Sequence, residues 1–141
     1  MIYNLKNKEL EVMNILWKND KPLTALEISR ISNMTINTVR PMLKNLLEYE
    51  LVEVADIVYS GTTLSRNYKT KINKRNFEIQ KFVMELKKLK REDITASNLI
   101  VSFLKQENKK NAMEELEELE RTIKEQRKLI LQAEKEDTGN K

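Results

Sequence analysis

The 141-residue chain contains no cysteine and no histidine, and it has only two glycines and two prolines. Without cysteine there can be no disulfide and no thiolate metal site. Without histidine the commonest general base and the commonest transition-metal ligand are missing. The sequence shows neither a glycine-rich phosphate loop nor a paired-carboxylate motif. We therefore expect a protein that is not an enzyme and that needs no cofactor.

Long apolar runs are also missing, since none approaches the ~20 residues that cross a bilayer. The first ten residues lack the apolar core of a signal peptide. These observations predict a cytoplasmic protein without membrane insertion. The formal net charge is +4, and residues 1–72 hold ten basic and eight acidic side chains. Binding to phosphates would therefore have to come from a local patch of basic residues.

Three closely spaced helices are predicted in the first half of the chain. Apolar residues recur with the helical period over residues 7–18. Thr24 and Glu27 form a capping box, in which each side chain satisfies a free amide of the first turn of a helix over residues 25–32. A two-residue turn follows, and Thr35 caps a third helix. Two capped helices this close together indicate a helix-turn-helix.

A β-hairpin is predicted directly after the third helix. Residues 51–59 are rich in β-branched side chains, residues 60–63 can turn around Gly61, and residues 64–72 can return as a second strand. A helix-turn-helix followed by a hairpin is a winged helix-turn-helix, whose usual ligand is DNA. The alternative is that the hairpin is only the edge of a sheet, and that its lysines keep this edge soluble.

The second half of the chain is predicted to be helical throughout. Helices are expected through about residue 90, from Asp93 or Thr95 onwards, and from about Lys109 to Lys135. Their unpaired apolar stripes predict pairing with a second copy. The fold class is thus mainly α with a small β-hairpin: a winged helix DNA-binding domain over residues 1–72 and a helical dimerisation domain over residues 73–137.

The expected DNA contacts lie on the third helix and on the wing. Arginine can bond guanine in two places, asparagine can pair with adenine, and threonine can contact a base or a phosphate. The candidate residues are Thr35, Asn37, Thr38, Arg40 and Lys44 on the helix, and Arg66, Tyr68 and Lys69 on the wing. Pro41 lacks the amide that should bond the Asn37 carbonyl, which predicts an irregular first turn or a kink.

Several segments resemble the penicillinase-repressor family of bacterial transcription regulators (the BlaI/MecI/CopY group). The matching segments are residues 11–17 (EVMNILW), 35–40 (TINTVR), 46–52 (LLEYELV), 66–68 (RNY), 98–103 (NLIVSF) and the leucine-bearing 114–119.

The resemblance implies a homodimeric repressor that binds a palindromic operator through two winged helices. In the family the positions matching Asn37, Thr38 and Arg40 read the DNA groove. Members often repress a resistance operon and are released by cleavage in the dimerisation region, which a membrane-bound sensor protease triggers. The cleaved bond would match Ser102–Phe103, where the family usually has Asn–Phe.

Two alternatives remain open at the level of sequence. One is a ligand-responsive regulator of the PadR or MarR type, in which no proteolysis occurs. The other is a winged-helix module that docks a protein and does not bind DNA, an interpretation that the near-balanced charge of residues 1–72 favours.

Overall fold

A computed structural model describes residues 3–89 and 92–139 of the chain, which form two compact units, Met1–Lys90 and Arg91–Lys141. The elements of the first unit are α1 (Asn7–Lys18), β1 (Leu23–Thr24), α2 (Ala25–Ser32), α3 (Ile36–Glu48), β2 (Val52–Ser60), β3 (Thr63–Thr70) and α4 (Lys74–Lys88). The elements of the second unit are α5 (Ala96–Lys105) and α6 (Lys109–Gly139). This element order is that of a winged helix-turn-helix followed by helices, which confirms the predicted fold class.

The capping box predicted at the start of α2 is present. The Thr24 hydroxyl accepts the Glu27 amide at 3.2 Å, and the Glu27 carboxylate accepts the Thr24 amide at 3.1 Å. Asn33 then ends α2 in the left-handed conformation, with φ of 62°. The Ser29 hydroxyl donates to the Met34 carbonyl at 2.6 Å, which fixes the turn between the two helices.

Helix α3 continues through Pro41 as one element. Pro41 is solvent-exposed, so its ring lies away from the buried stripe of the helix and does not displace a core side chain. The helix ends when Glu50 turns into the left-handed conformation, with φ of 61°. The Leu51 amide then reaches back to the Leu46 carbonyl at 3.0 Å. This closing bond is the Schellman arrangement that usually has glycine at the left-handed position.

The sheet has three antiparallel strands in the order β1–β3–β2. The short strand β1, which the sequence analysis did not foresee, pairs Leu23 with Tyr68. Strands β2 and β3 form the wing, and Ser60 pairs with Thr63 across a two-residue turn. Gly61 has φ of 67° at the first turn position, where a hairpin turn of this length requires a left-handed residue.

A β-bulge between Val54 and Asp56 keeps Val54, Ile57 and Tyr59 on one face of the wing. Strand side chains alternate between faces, so Val54 and Ile57 would point in opposite directions along a regular strand. The extra residue at the bulge resets this alternation. Consequently Ile57 pairs with Arg66, and Tyr59 pairs with Leu64, on the face that carries Val54 and Tyr68.

The core of the first unit lies between its helices and the base of the sheet. The buried apolar residues are Val12, Met13, Ile15, Leu16, Leu23, Ile28, Val39, Leu43, Leu46, Leu51, Val52 and Phe77. Phe77 comes from α4, beyond the domain boundary expected at residue 72. Its ring lies 5.3 Å from that of Trp17, whose indole N–H donates to the Ile72 carbonyl at 2.9 Å. The compact unit therefore extends to about residue 90.

The second unit is a pair of helices without a buried core among its described residues. Thr95, one of the two expected starting points, caps α5 by accepting the Asn98 amide at 3.2 Å. Helix α6 runs to Gly139, beyond the expected end at Lys135. Large apolar side chains remain exposed, including Phe103 at 67%, Ile123 at 50% and Ile130 at 60%. No helix in the described ranges is both long enough and apolar enough to cross a membrane.

Candidate nucleic-acid interface

The first turn of α3 presents short polar side chains. The Thr35 hydroxyl accepts the Thr38 amide at 3.3 Å, and the two hydroxyls lie 3.0 Å apart. Asn37, between them, is exposed. Thr35 therefore caps the helix, as expected, and the capping interaction also fixes the position of the Thr38 hydroxyl.

A groove of about 570 Å³ separates α3 from the wing. Its lining residues are Thr24, Ala25, Leu26, Ile36, Arg40, Lys44, Leu47, Ser60, Thr63, Leu64, Ser65, Arg66 and Tyr68. Three of them are cationic, and none of them carries a carboxylate. Because residues 1–72 are nearly balanced in charge, binding to phosphates would need a local patch of basic residues. The cationic side chains along this groove form such a patch.

The basic side chains of the groove come from two elements. Arg40 and Lys44 are four residues apart on α3, so they lie one turn apart on one side of the helix. Arg66 and Tyr68 are two residues apart on β3, so they share the face of the strand that Leu64 also occupies. The structure thereby brings together Arg40, Lys44, Arg66 and Tyr68 from the residues expected at the interface.

Lys69 lies apart from this groove. It follows Tyr68 on β3, so its side chain leaves the opposite face of the strand. There its ammonium group forms an ion pair with the carboxylate of Glu53, its cross-strand neighbour, at 3.3 Å. The structure therefore does not bring Lys69 together with Arg66 in the groove.

The tip of the wing contributes hydroxyl groups that the sequence analysis did not select. Ser60, Thr63 and Ser65 line the groove beside Arg66. Serine and threonine hydroxyls commonly bond DNA phosphates. Their positions on the wing follow from the pairing of Ser60 with Thr63 across the turn at Gly61, and their place in the groove depends on how the wing packs beside α3, which local sequence patterns do not specify.

A buried polar cluster joins α3 to α1. The Glu9 side chain is 1% exposed. Its carboxylate accepts the Lys6 amide at 2.9 Å and the Asn45 side-chain amide at 3.0 Å. The pKa of the nearby Tyr49 is raised by partial burial, then by the negative charges of Glu9 and Glu48, and last by hydrogen bonding to Glu9.

The remaining candidate residues, Ser102 and Phe103, belong to the second unit. Both side chains are exposed, and the peptide bond between them lies inside α5. Over the part of the chain that the structure describes, no cluster of three or more carboxylates could hold a metal ion.

Comparison with known proteins gives structural likenesses only. No family model and no curated protein matches the sequence. Among solved structures, a "possible transcriptional regulator" from Methanosarcina mazei is 22% identical, with 65% of this chain and 82% of that chain covered and a TM-score of 0.48. A homodimeric winged helix-turn-helix DNA-binding domain from Mycobacterium bovis is 18% identical, with 63% and 79% covered and a TM-score of 0.40. Streptococcus pneumoniae FabT, in complex with DNA, is 19% identical, with 82% and 78% covered and a TM-score of 0.42. The assignment of the winged helix-turn-helix therefore follows from the chain's own element order and sheet pairing.

Proposed function

We propose that the protein is a homodimeric transcriptional repressor that binds a palindromic operator, as its resemblance to the penicillinase-repressor family implies. The observation that carries this proposal is the groove between α3 and the wing, which is lined by Arg40, Lys44 and Arg66 and by no carboxylate. A cationic groove of this kind suits a phosphate backbone. Its ionisable side chains are Arg40, Lys44, Arg66 and Tyr68, and from their positive charge we infer that the groove binds an anionic polymer.

In this proposal α3 enters the major groove of DNA through its first two turns. The exposed Asn37 and Arg40 face base edges, where asparagine pairs with adenine and arginine with guanine. Thr35 and Thr38 contact the base edges or phosphates beside them. The DNA backbone strand runs along the groove, between Lys44 on one side and Arg66 and Tyr68 on the other. Lys69, paired with Glu53, contributes less than Arg66.

The second unit provides the dimer interface in this account. Its two helices bury no residue of their own among those described, yet Phe103, Ile123 and Ile130 are half or more exposed. Leu116, Ile123 and Ile130 recur every seven residues along α6, which is the spacing of a helix-pairing seam. A second copy would cover this apolar surface. A two-fold dimer then requires a palindromic operator, with half-sites about one helical turn, or a multiple of it, apart.

Release by proteolysis at Ser102–Phe103 is the regulatory part of the proposal. Residues in a helix must unwind to enter a protease site, and α5 contributes no buried residue that would oppose this. Mapping the fragments formed with a co-expressed sensor protease tests it. An intact chain under inducing conditions would favour a ligand-responsive regulator of the PadR or MarR type instead.

The test of DNA binding uses two matched variants of neighbouring wing residues, Arg66→Ala and Lys69→Ala. Fluorescence anisotropy would follow binding to a labelled duplex from upstream of the gene, across a salt series. A phosphate contact adds about one to the slope of log affinity against log salt. We expect Arg66→Ala to lower this slope by about one, and Lys69→Ala to leave it nearly unchanged.

A third variant, measured in the same assay, tests the recognition of DNA bases. Arg40→Ala should weaken binding to the preferred duplex by ~1–3 kcal/mol. If the three variants and the wild type all show the same slope of log affinity against log salt, the groove is not part of the DNA interface. If no duplex binds even at low salt, the winged helix is a protein-docking module.

A further inference from the structure

Two sides of α3 flank its buried stripe, and they make different contacts. Arg40 and Lys44 line the groove towards the wing, whereas Asn45 and Tyr49 contact Glu9 of α1. Asn45 follows Arg40 by five residues, which is about 140° of rotation around a helix. Val39, Leu43 and Leu46 form the buried stripe between these two sides. A movement of Asn45 around the helix axis must therefore also move Arg40.

The buried stripe alone sets this rotation only loosely. Apolar burial depends on the area removed from water and has no preferred direction, so a small rolling of the helix changes it little. Hydrogen bonds depend strongly on distance and angle. The Glu9 carboxylate accepts the Asn45 side-chain amide at 3.0 Å, which restrains α3 around its axis.

The Glu9 carboxylate is itself held in place. It is 1% exposed, and its other oxygen accepts the Lys6 amide at 2.9 Å, at the start of α1. Both of its donors, the Lys6 amide and the Asn45 side-chain amide, are neutral, which an acceptor-only carboxylate matches. A buried carboxylate with satisfied bonds resists displacement, because losing a partner leaves a charge desolvated and unpaired. The rotation of α3 is thus fixed relative to the backbone of α1.

We propose that Glu9 is a positioning residue for DNA recognition: through Asn45 it fixes the rotation of α3 that aims Asn37, Arg40 and Lys44 at the DNA. This inference rests on the proposed function, because it assigns to Glu9 the orientation of the same interface. Glu9 itself does not touch DNA. Its effect therefore appears in the preference for one duplex over another more than in general affinity.

The experiment reverses the polarity of one hydrogen bond. Asn45→Asp sets two carboxylates against each other in a buried position. The double variant Glu9→Gln with Asn45→Asp restores a donor and an acceptor with their roles exchanged, and the carbonyl oxygen of the introduced glutamine side chain can still accept the Lys6 amide. Asn45→Ala removes the donor without adding charge, and serves if Asn45→Asp does not fold. Asn14→Asp, at a partly buried position of α1 outside the cluster, is the matched control.

The probe is the duplex that the full-length wild-type protein selects from a randomised pool, compared with an unselected duplex. Each variant is measured at a temperature where circular dichroism shows it folded. We expect Asn45→Asp and Asn45→Ala to bind the selected duplex about tenfold more weakly, an effect similar to losing one base contact. Binding to the unselected duplex should change little. The double variant should bind the selected duplex with an affinity within about twofold of that of the wild type. The control variant Asn14→Asp should bind with the wild-type affinity.

Wild-type affinity and preference in folded Asn45→Ala would overturn the inference. A double variant that regains thermal stability without regaining duplex preference would also overturn it, since the cluster would then be structural only. A wild-type protein that selects no duplex would refute the proposed function itself. The two failures are therefore distinguishable.

Discussion

Replacing Phe77 with alanine tests whether α4 is part of the winged unit. Helix α4 lies beyond residue 72, where the sequence predicted this unit to end. Phe77 is 2% exposed, and its ring lies 5.3 Å from that of Trp17 and 5.5 Å from that of Tyr3. Removing a buried phenyl ring typically costs about 3–5 kcal/mol, and each aromatic pair contributes roughly 0.5–1.5 kcal/mol beyond burial. With two such pairs we expect a loss of about 4 kcal/mol, a large part of the roughly 5–15 kcal/mol that stabilises a typical domain.

The assay for Phe77→Ala is urea unfolding followed by circular dichroism and by the fluorescence of Trp17, the only tryptophan in the chain. With a denaturant dependence of roughly 2 kcal/mol per molar urea, the midpoint should fall by about 2 M. Phe82→Ala on the same helix is the control, since Phe82 is 48% exposed and should cost under about 1 kcal/mol. If both variants unfold at the wild-type midpoint, α4 does not belong to the core.

Two further predictions concern stability in the same unit. Glu50→Gly should raise the free energy of unfolding by about 0.5–1 kcal/mol in thermal or urea denaturation, because Glu50 ends α3 with φ of 61°, where a side chain is disfavoured. An unchanged or lower stability would contradict the proposed backbone strain. The pKa of Tyr49 is raised in the folded state, first by partial burial and then by the charges of Glu9 and Glu48 and the bond to Glu9. Its contribution is therefore fully present below the ordinary tyrosine pKa of about 10, and it is lost as pH rises through the folded value. The stability difference between wild type and Tyr49→Phe should shrink as pH rises above about 10; a difference that stays constant would show that Tyr49 titrates as an ordinary tyrosine.

Local sequence patterns predicted those features of the fold that depend on neighbouring residues. The Thr24–Glu27 capping box, the turn after α2 and the Thr35 cap all involve residues within a few positions of each other, and all are present. The wing turn at Gly61 was also predictable, because few residues other than glycine adopt the left-handed conformation that a two-residue hairpin turn requires.

Contacts between distant parts of the chain were not predictable in this way. Glu9 and Asn45 are 36 positions apart, and a glutamate in the first turn of a helix is normally a solvated residue that complements the helix dipole. The packing of Phe77 against Trp17 depends on how α4 crosses the core. Likewise, the pairing of Lys69 with Glu53 depends on strand register, which the bulge and the turn determine together.

The most direct test of the central claim is to let the purified protein select from a randomised pool of duplexes and then to measure how many chains bind each selected duplex. We expect enrichment of a palindromic sequence, two chains per duplex, and an affinity that falls steeply with salt. Failure to enrich any sequence, together with weak binding that is equal for all duplexes, would contradict the claim that this winged helix reads an operator.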